Sequence, residues 1–330
     1  MIRLFDLRDL PLIHRLRDQS ISLHAESALT NDTHLLRSAL AGMLIGRDTP
    51  TFVWKSEESD AAGFVQMHVR EDGEQAQIVT IGMEPGRQDG EGWEGIEEDE
   101  WIRLLEQLIV SVGRRGIHSL VAEVSETGPE LVTLRHAGFA VYARQDIWQL
   151  SETDITVGSS LLRSKRPEDE WDISLLYANT VPRLIQLVEP SPPLKNGGGW
   201  VLWEEDEMVA FVQRHDGPSG SWLRLFIHPG THTDSTDILK DVVKLRPPSP
   251  ELPLYCCVPR HQSWLQGALK ALGFVHLGSQ AVMVKHTVQR IQKSVPDLAK
   301  MVASGQVART APYHVENLQG EVDSAISGGR

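Results

Sequence analysis

The stretch that decides the fold is read twice: Thr51-Phe52-Val53-Trp54, a polar turn, then Ala62-Gly63-Phe64-Val65-Gln66; and again Trp200-Val201-Leu202-Trp203, the polar Glu204-Glu205-Asp206-Glu207, then Val209-Ala210-Phe211-Val212-Gln213. β-Branched and aromatic runs around a polar turn are the signature of paired antiparallel strands. The same hairpin written twice points to an internal repeat, which governs how the rest of the chain is read.

The correspondence extends outward in the same order. A strand ending Ile81-Gly82-Met83-Glu84-Pro85 matches Leu225-Phe226-Ile227-His228-Pro229, and Leu134-Arg135-His136-Ala137-Gly138-Phe139 matches Leu269-Lys270-Ala271-Leu272-Gly273-Phe274. The offset between copies shrinks along the chain, so the second copy has shorter loops. Each opens on an amphipathic helix, at Leu12, Ile13 and Leu16 and again at Ile173 and Leu176. Trp101, Leu104, Leu105, Leu108, Ile109 and Val112 recur at spacings of three and four, an apolar helical stripe stopped by Gly113 and Gly116. Ser119 to Val124 then reads as a strand, Glu130 to His136 as a short helix, and Phe139 to Leu150 as a final strand or hairpin.

The 330 residues exceed what one hydrophobic core usually serves, and 41% hydrophobic with 23% charged residues is ordinary for globular protein. The expected class is α/β, an α+β mixed sheet with helices on both sides, in two tandem domains, each closing its own sheet. Their bounds are 1–157 and 158–290, joined by an exposed linker over Ser151 to Ser160. Residues 291–330 read as a short helix and flexible tail, with helical periodicity between Val288 and Val302 interrupted at Pro296.

The N-terminus runs straight into charge without a signal-peptide pattern, and no window approaches the roughly 18 consecutive apolar residues of a membrane span. A cytoplasmic protein without a membrane partner is expected. The formal net charge of −13 disfavours a broad phosphate-binding face, so no nucleic-acid partner is expected either. Cys256 and Cys257 are adjacent and point to opposite faces of a strand, which suits buried thiols and neither a disulfide framework nor a metal cage; no metal is expected.

The repeated succession of helix, antiparallel strands, a strand ending in Pro, a helix, a strand, and Gly-Phe before the last strand resembles the GNAT N-acetyltransferase superfamily, over about 1–150 and again about 161–286. The resemblance implies acetyl-CoA as co-substrate and an amine acceptor, a small molecule or a peptide. In that family the fourth strand splays from the fifth, and its backbone, here at Ile81 and Met83, pairs with the pantetheine arm. A following Arg/Gln-x-x-Gly-x-Gly loop holds the pyrophosphate, because glycine permits close backbone approach and successive N–H groups favour an anion. Copy one has Arg87-Gln88-Asp89-Gly90-Glu91-Gly92, which makes Arg87, Gly90 and Gly92 the candidate phosphate loop, although Glu94, Glu97, Glu98, Asp99 and Glu100 also fit a capped, solvated helix start. Copy two has no such loop, so cofactor is expected in the N-terminal half.

Direct attack by an amine needs a group to take the ammonium proton. Glu123 and His68 are the candidate bases and Tyr142 the candidate acid; surface or packing roles are the alternative for all three. The family's usual acid, a Tyr four residues before the Gly of Gly-Phe, is replaced by Leu134 and Leu269. Two functions from different classes follow: an acetyl-CoA-dependent N-acetyltransferase, or a non-catalytic tandem module that binds a ligand or a protein.

Overall fold

The structure is a computed structural model that describes residues 1–30, 49–57, 60–70, 72–84, 98–155, 160–187, 189, 191–192 and 198–287. Met1–Gln289 form one compact unit. The helix expected over 288–302 and the tail lie outside the described residues.

In the first half, β1 (Ile2–Leu4), α1 (Leu10–Leu16), β2 (Ile21–Ser22) and α2 (Ala25–Thr30) precede the antiparallel strands β3 (Thr51–Lys55), β4 (Ala62–Val69) and β5 (Gln75–Met83). There follow α3 (Glu98–Gly113), β6 (Ser119–Ser125), α4 (Glu130–His136) and β7 (Ala140–Leu150). The second half repeats the plan with β8 (Arg163–Ser164), α5 (Glu170–Thr180), α6 (Arg183–Gln186), β9 (Gly198–Glu204), β10 (Glu207–Gly217) and β11 (Gly220–Ile227). It closes with α7 (Ser235–Leu245), β12 (Leu254–Pro259), α8 (Gln266–Ala271) and β13 (Val275–His286).

The repeat reaches individual side chains. Phe64 and Phe211 are both buried, each opposite the third strand of its half, facing Gly82 and Phe226. Gly138 and Gly273 follow α4 and α8 at φ +83 and +88, a left-handed turn that a Cβ would strain. At the front of each half an Arg grips an Asp six residues on with both guanidinium nitrogens: Arg3 to Asp9 at 2.7 and 2.6 Å, Arg163 to Asp169 at 2.8 and 2.6 Å. Each Asp also accepts a backbone N–H, from Asp6 and Arg166, and is held below the usual carboxylate range. The burial that opposes the charge of Asp9 is overcome by the Arg3 hydrogen bond, and Arg163 is the main cause at Asp169.

The expectation of two separate sheets is corrected. Among the described residues there is one continuous sheet, in the order β1-β3-β4-β5-β6-β13-β7-β12-β11-β10-β9-β8, with β2 on β5. Each half sends its last strand into the other: β13 lies between β6 and β7, and β7 lies between β13 and β12. A half that kept its own last strand would end on an unpaired edge; exchanging the two buries both edges. The β7–β13 pairing is symmetric about Gln145 and Gln280, which face each other and share a 3.2 Å Nε2–Oε1 hydrogen bond. Both are the seventh residue after the glycine that ends their half's short helix.

Helices α3 and α4 bury Trp101, Leu104, Leu105, Leu108 and Leu134 on one face of the first half, and α1 covers Val53 and Phe64 on the other. Helices α7 and α8 do the same for Leu223, Leu225 and Cys256, while α5 packs Ile173, Leu176 and Tyr177 onto Phe211 and Phe226. Cys256 and Cys257 are free, buried and in different clusters.

Candidate functional site

In the first half the parallel strands β5 and β6 pair only from Gln75, Ala76 and Gln77 to Ser119, Leu120 and Val121, and then part. A register shift in the β4–β5 ladder leaves Val79 as an extra residue between Ile78 and Thr80. The chain's own residues enter the gap. Ile21 and Ser22 pair antiparallel with Ile81 and Thr80, Leu23 N–H donates to the Val79 carbonyl at 2.8 Å, and Glu123 N–H donates to the Leu23 carbonyl at 2.8 Å. Gln77 Nε2 donates to the same carbonyl at 2.9 Å. Leu23 is 1% exposed and belongs to the core beneath α3.

The gap collects some of the sequence candidates and leaves others apart. Ile81 is buried with its open edge paired to Ile21, and Met83 is buried opposite Gly63. Arg87, Gly90 and Gly92 lie outside the described residues. Glu123 borders the gap, and its Oε2 accepts the Ala25 N–H at 2.7 Å, at the start of α2. His68 is exposed on β4 opposite Gln77, with β5 between it and β6. Tyr142 lies one strand beyond β13 from Glu123, its hydroxyl 2.6 Å from His286 Nε2 and its ring edge-on to that imidazole.

In the second half β11 and β12 pair from Ser221–Arg224 to Leu254–Cys257 and likewise part. The segment equivalent to residues 21–30 is wound up: Val181 N–H bonds back to Tyr177 and Ile185 N–H to Pro182. A cleft remains, lined by Val181, Glu189, Arg224, Cys257, His261 and Gln262 among others. Burial opposes the charge of Arg224, yet its 2.9 Å bond to Glu189, with Cys257, Glu26 and Glu123 around it, raises its pKa. Burial pushes the Cys257 thiol up and the His261 imidazole down, so the cleft offers a protonated thiol and a neutral imidazole at neutral pH. Both His261 ring nitrogens and the Gln262 Oε1 are buried without a hydrogen-bond partner among the described residues. These polar atoms, and Glu189, had no signal in spacing, because they come from separate segments.

The loop after β11 stands where the first half has residues 85–97 in the repeat, and it is filled from within. Glu204, at the end of β9, accepts Thr231 Oγ1 at 2.6 Å, His232 N–H at 3.0 Å, and Thr233 N–H and Oγ1 at 2.9 and 2.7 Å. Its desolvation is outweighed by these donors, and its pKa falls to about 2. His228, directly after β11, accepts the Gly230 N–H at 3.1 Å within the same turn.

The two halves therefore fit acetyl-CoA differently. In the second, a carboxylate takes the donors that would face a phosphate, so the loop does not fit the cofactor. In the first, Leu23 supplies one N–H and one C=O to Val79 and Glu123. An amide-bearing arm carries the same pair of groups, so the chemistry of the gap fits it. Among the described residues no group of His, Cys, Asp and Glu is arranged to hold a metal, and no helix is long and apolar enough to cross a membrane.

No protein-family model and no curated protein matches the sequence. Solved structures do match. A GCN5-related N-acetyltransferase from Sphaerobacter thermophilus aligns at 10% identity and TM-score 0.53, over 88% of this chain and 96% of its own. A tandem GNAT protein from the clavulanic acid biosynthesis pathway aligns at 13% identity and TM-score 0.50, over 88% of this chain and 99% of its own. At such identities the likeness speaks for the architecture. This chain is thus a mixed α/β protein with the tandem GNAT N-acetyltransferase fold.

Proposed function

We propose that the chain is an acetyl-CoA-dependent N-acetyltransferase, with the donor site in the N-terminal half and the C-terminal half, beginning near residue 158, helping to shape the acceptor side. The observation that carries this reading is the gap between β5 and β6, where the Val79 carbonyl and the Glu123 N–H, left unpaired by the two strands, are bridged by the backbone amide groups of Leu23. In this reading the edge at Ile81 and Met83 takes the pantetheine arm, and Arg87 with the backbone at Gly90 and Gly92 takes the phosphates. Bound acetyl-CoA supplies the acyl group that an amine takes up.

Glu123 is the base we assign. Its carboxylate is held by the Ala25 N–H; once that donor withdraws, Oε2 can accept the proton of an ammonium. His68 and Tyr142 are secondary candidates, Tyr142 being engaged with His286. The acceptor is a small-molecule or peptide amine, and the net charge of −13 favours encounter with a cation. The non-catalytic reading has its own support: Leu23 closes one half and Glu204 fills the loop of the other.

Calorimetric titration with acetyl-CoA separates them. The enzyme reading expects binding, weakened in Arg87→Glu by about 1.5–3 kcal/mol, roughly 10- to 150-fold, as for loss of a charge-assisted hydrogen bond. Absence of heat at millimolar acetyl-CoA would favour the non-catalytic module, and binding indifferent to Arg87→Glu would remove residues 87–92 from the site.

A further inference from the structure

We infer that residues 21–30 form an autoinhibitory strap, which closes the first-half gap with its leading end and is tied to the second half by its trailing end. The inference rests on the reading of that gap as the donor site.

The leading end uses the groups any extended ligand would need. The Val79 carbonyl, the Glu123 N–H and the edge at Ile81 are all taken by Ile21 to Leu23. Glu123's carboxylate is taken by the next turn, through the Ala25 N–H. The gap cannot hold this segment and a second amide-bearing chain together, because the Glu123 N–H has one hydrogen to donate and the Ile21–Leu23 backbone occupies the space along the β5 edge.

The trailing end, α2, crosses to the other half. Ala25 and Leu29 pack on Trp222, Tyr255 and Cys257 of β11 and β12. Glu26 pairs with His215 of β10 at 2.9 Å, and the Thr30 carbonyl accepts the Ser219 N–H at 3.0 Å. Drawing Leu23 out of the gap therefore pulls on contacts that belong to the second half. This closure is no requirement of the fold. In the second half the matching segment is coiled at Val181 to Gln186 and, among the described residues, inserts no strand between β11 and β12; Glu189 reaches Arg224 there with its side chain instead.

A site available only in the strap-free fraction binds with an affinity reduced by that fraction. Weakening the far anchor should then tighten binding, although no ligand contact is touched. The Glu26→Gln and His215→Ala variants remove an ion pair in which His215 is half-exposed and Glu26 largely covered, and leave the gap residues in place.

The experiment is hydrogen exchange at the amides of Leu23, Ala25 and Glu123, with and without saturating CoA, in the wild type and both variants. We expect either variant to speed exchange at these amides about tenfold, to leave the amides beneath α3 unchanged, and to tighten CoA binding by a similar factor. Saturating CoA should expose the Leu23 and Ala25 amides while keeping Glu123 protected. CoA binding with Leu23 and Ala25 still protected would overturn the strap, as would exchange that neither variant alters. Faster exchange in the variants without CoA binding to any form would uphold the strap and sink the donor-site reading alone.

Discussion

Glu204 is the residue on which the second half's chemistry turns. Two hydroxyls and two backbone N–H groups converge on it, and its pKa of about 2 records how strongly they favour the charged form. A carboxyl whose pKa is lower in the folded than in the unfolded chain stabilises the fold above the unfolded pKa, near 4.3, and that contribution disappears as pH falls toward 2. Thermal denaturation across pH 2–6 should show wild type losing stability in this window and Glu204→Gln losing less of it, while being the less stable protein at pH 6. Equal slopes for the two proteins would mean that the loop does not depend on the charge. None of this was legible in the sequence, where Glu204 reads as one of four acidic turn residues; its partners are brought to it only when β9 and β11 flank β10. The Arg3–Asp9 and Arg163–Asp169 pairs were also missed, since charged residues on a helix entrance look like solvated surface, though the shared Arg-to-Asp spacing was there to be read.

At the level of elements, the hairpins, α3, β6 and the two short helices ended by glycine were legible because side-chain period and turn chemistry are local. The exchange of β7 and β13 was not. Its cause is the choice of partner for a strand edge, and residues from opposite ends of the chain make that choice. The Ile21–Leu23 insertion escaped for the same reason, a short run between two helices that gains its structure from the β5 edge. The exchange carries a consequence for truncation. Val282, Met283 and Val284 are buried between β6 and β7, and burial of three such side chains is worth about 5–9 kcal/mol, comparable to the whole stability of a domain. A chain ending at Gly273 should therefore lose the near-ultraviolet circular dichroism of Trp54 and Trp101 in the first half, although the missing strand belongs to the second. Retention of that signal would show that the first half stands without β13.

At the level of the whole described unit, the repeat foretold two copies of one plan, and the structure joins them more closely than a linker would. The tether itself is held: Ile155 packs against the second-half core, Leu162 is buried, and the Ser160 hydroxyl and Leu161 N–H both donate to Asp241. Within the expected linker over 151–160, Ile155 and Ser160 are anchored in this way, Glu152, Asp154 and Ser160 are exposed, and 156–159 lie outside the described residues. With strands exchanged through Gln145 and Gln280, and with α2 laid across β11, neither half can unfold without opening the other's sheet. The direct measurement is differential scanning calorimetry of the full chain. One transition, with a van't Hoff enthalpy equal to the calorimetric enthalpy, is the predicted result; two resolved transitions, each carrying about half the heat, would contradict it.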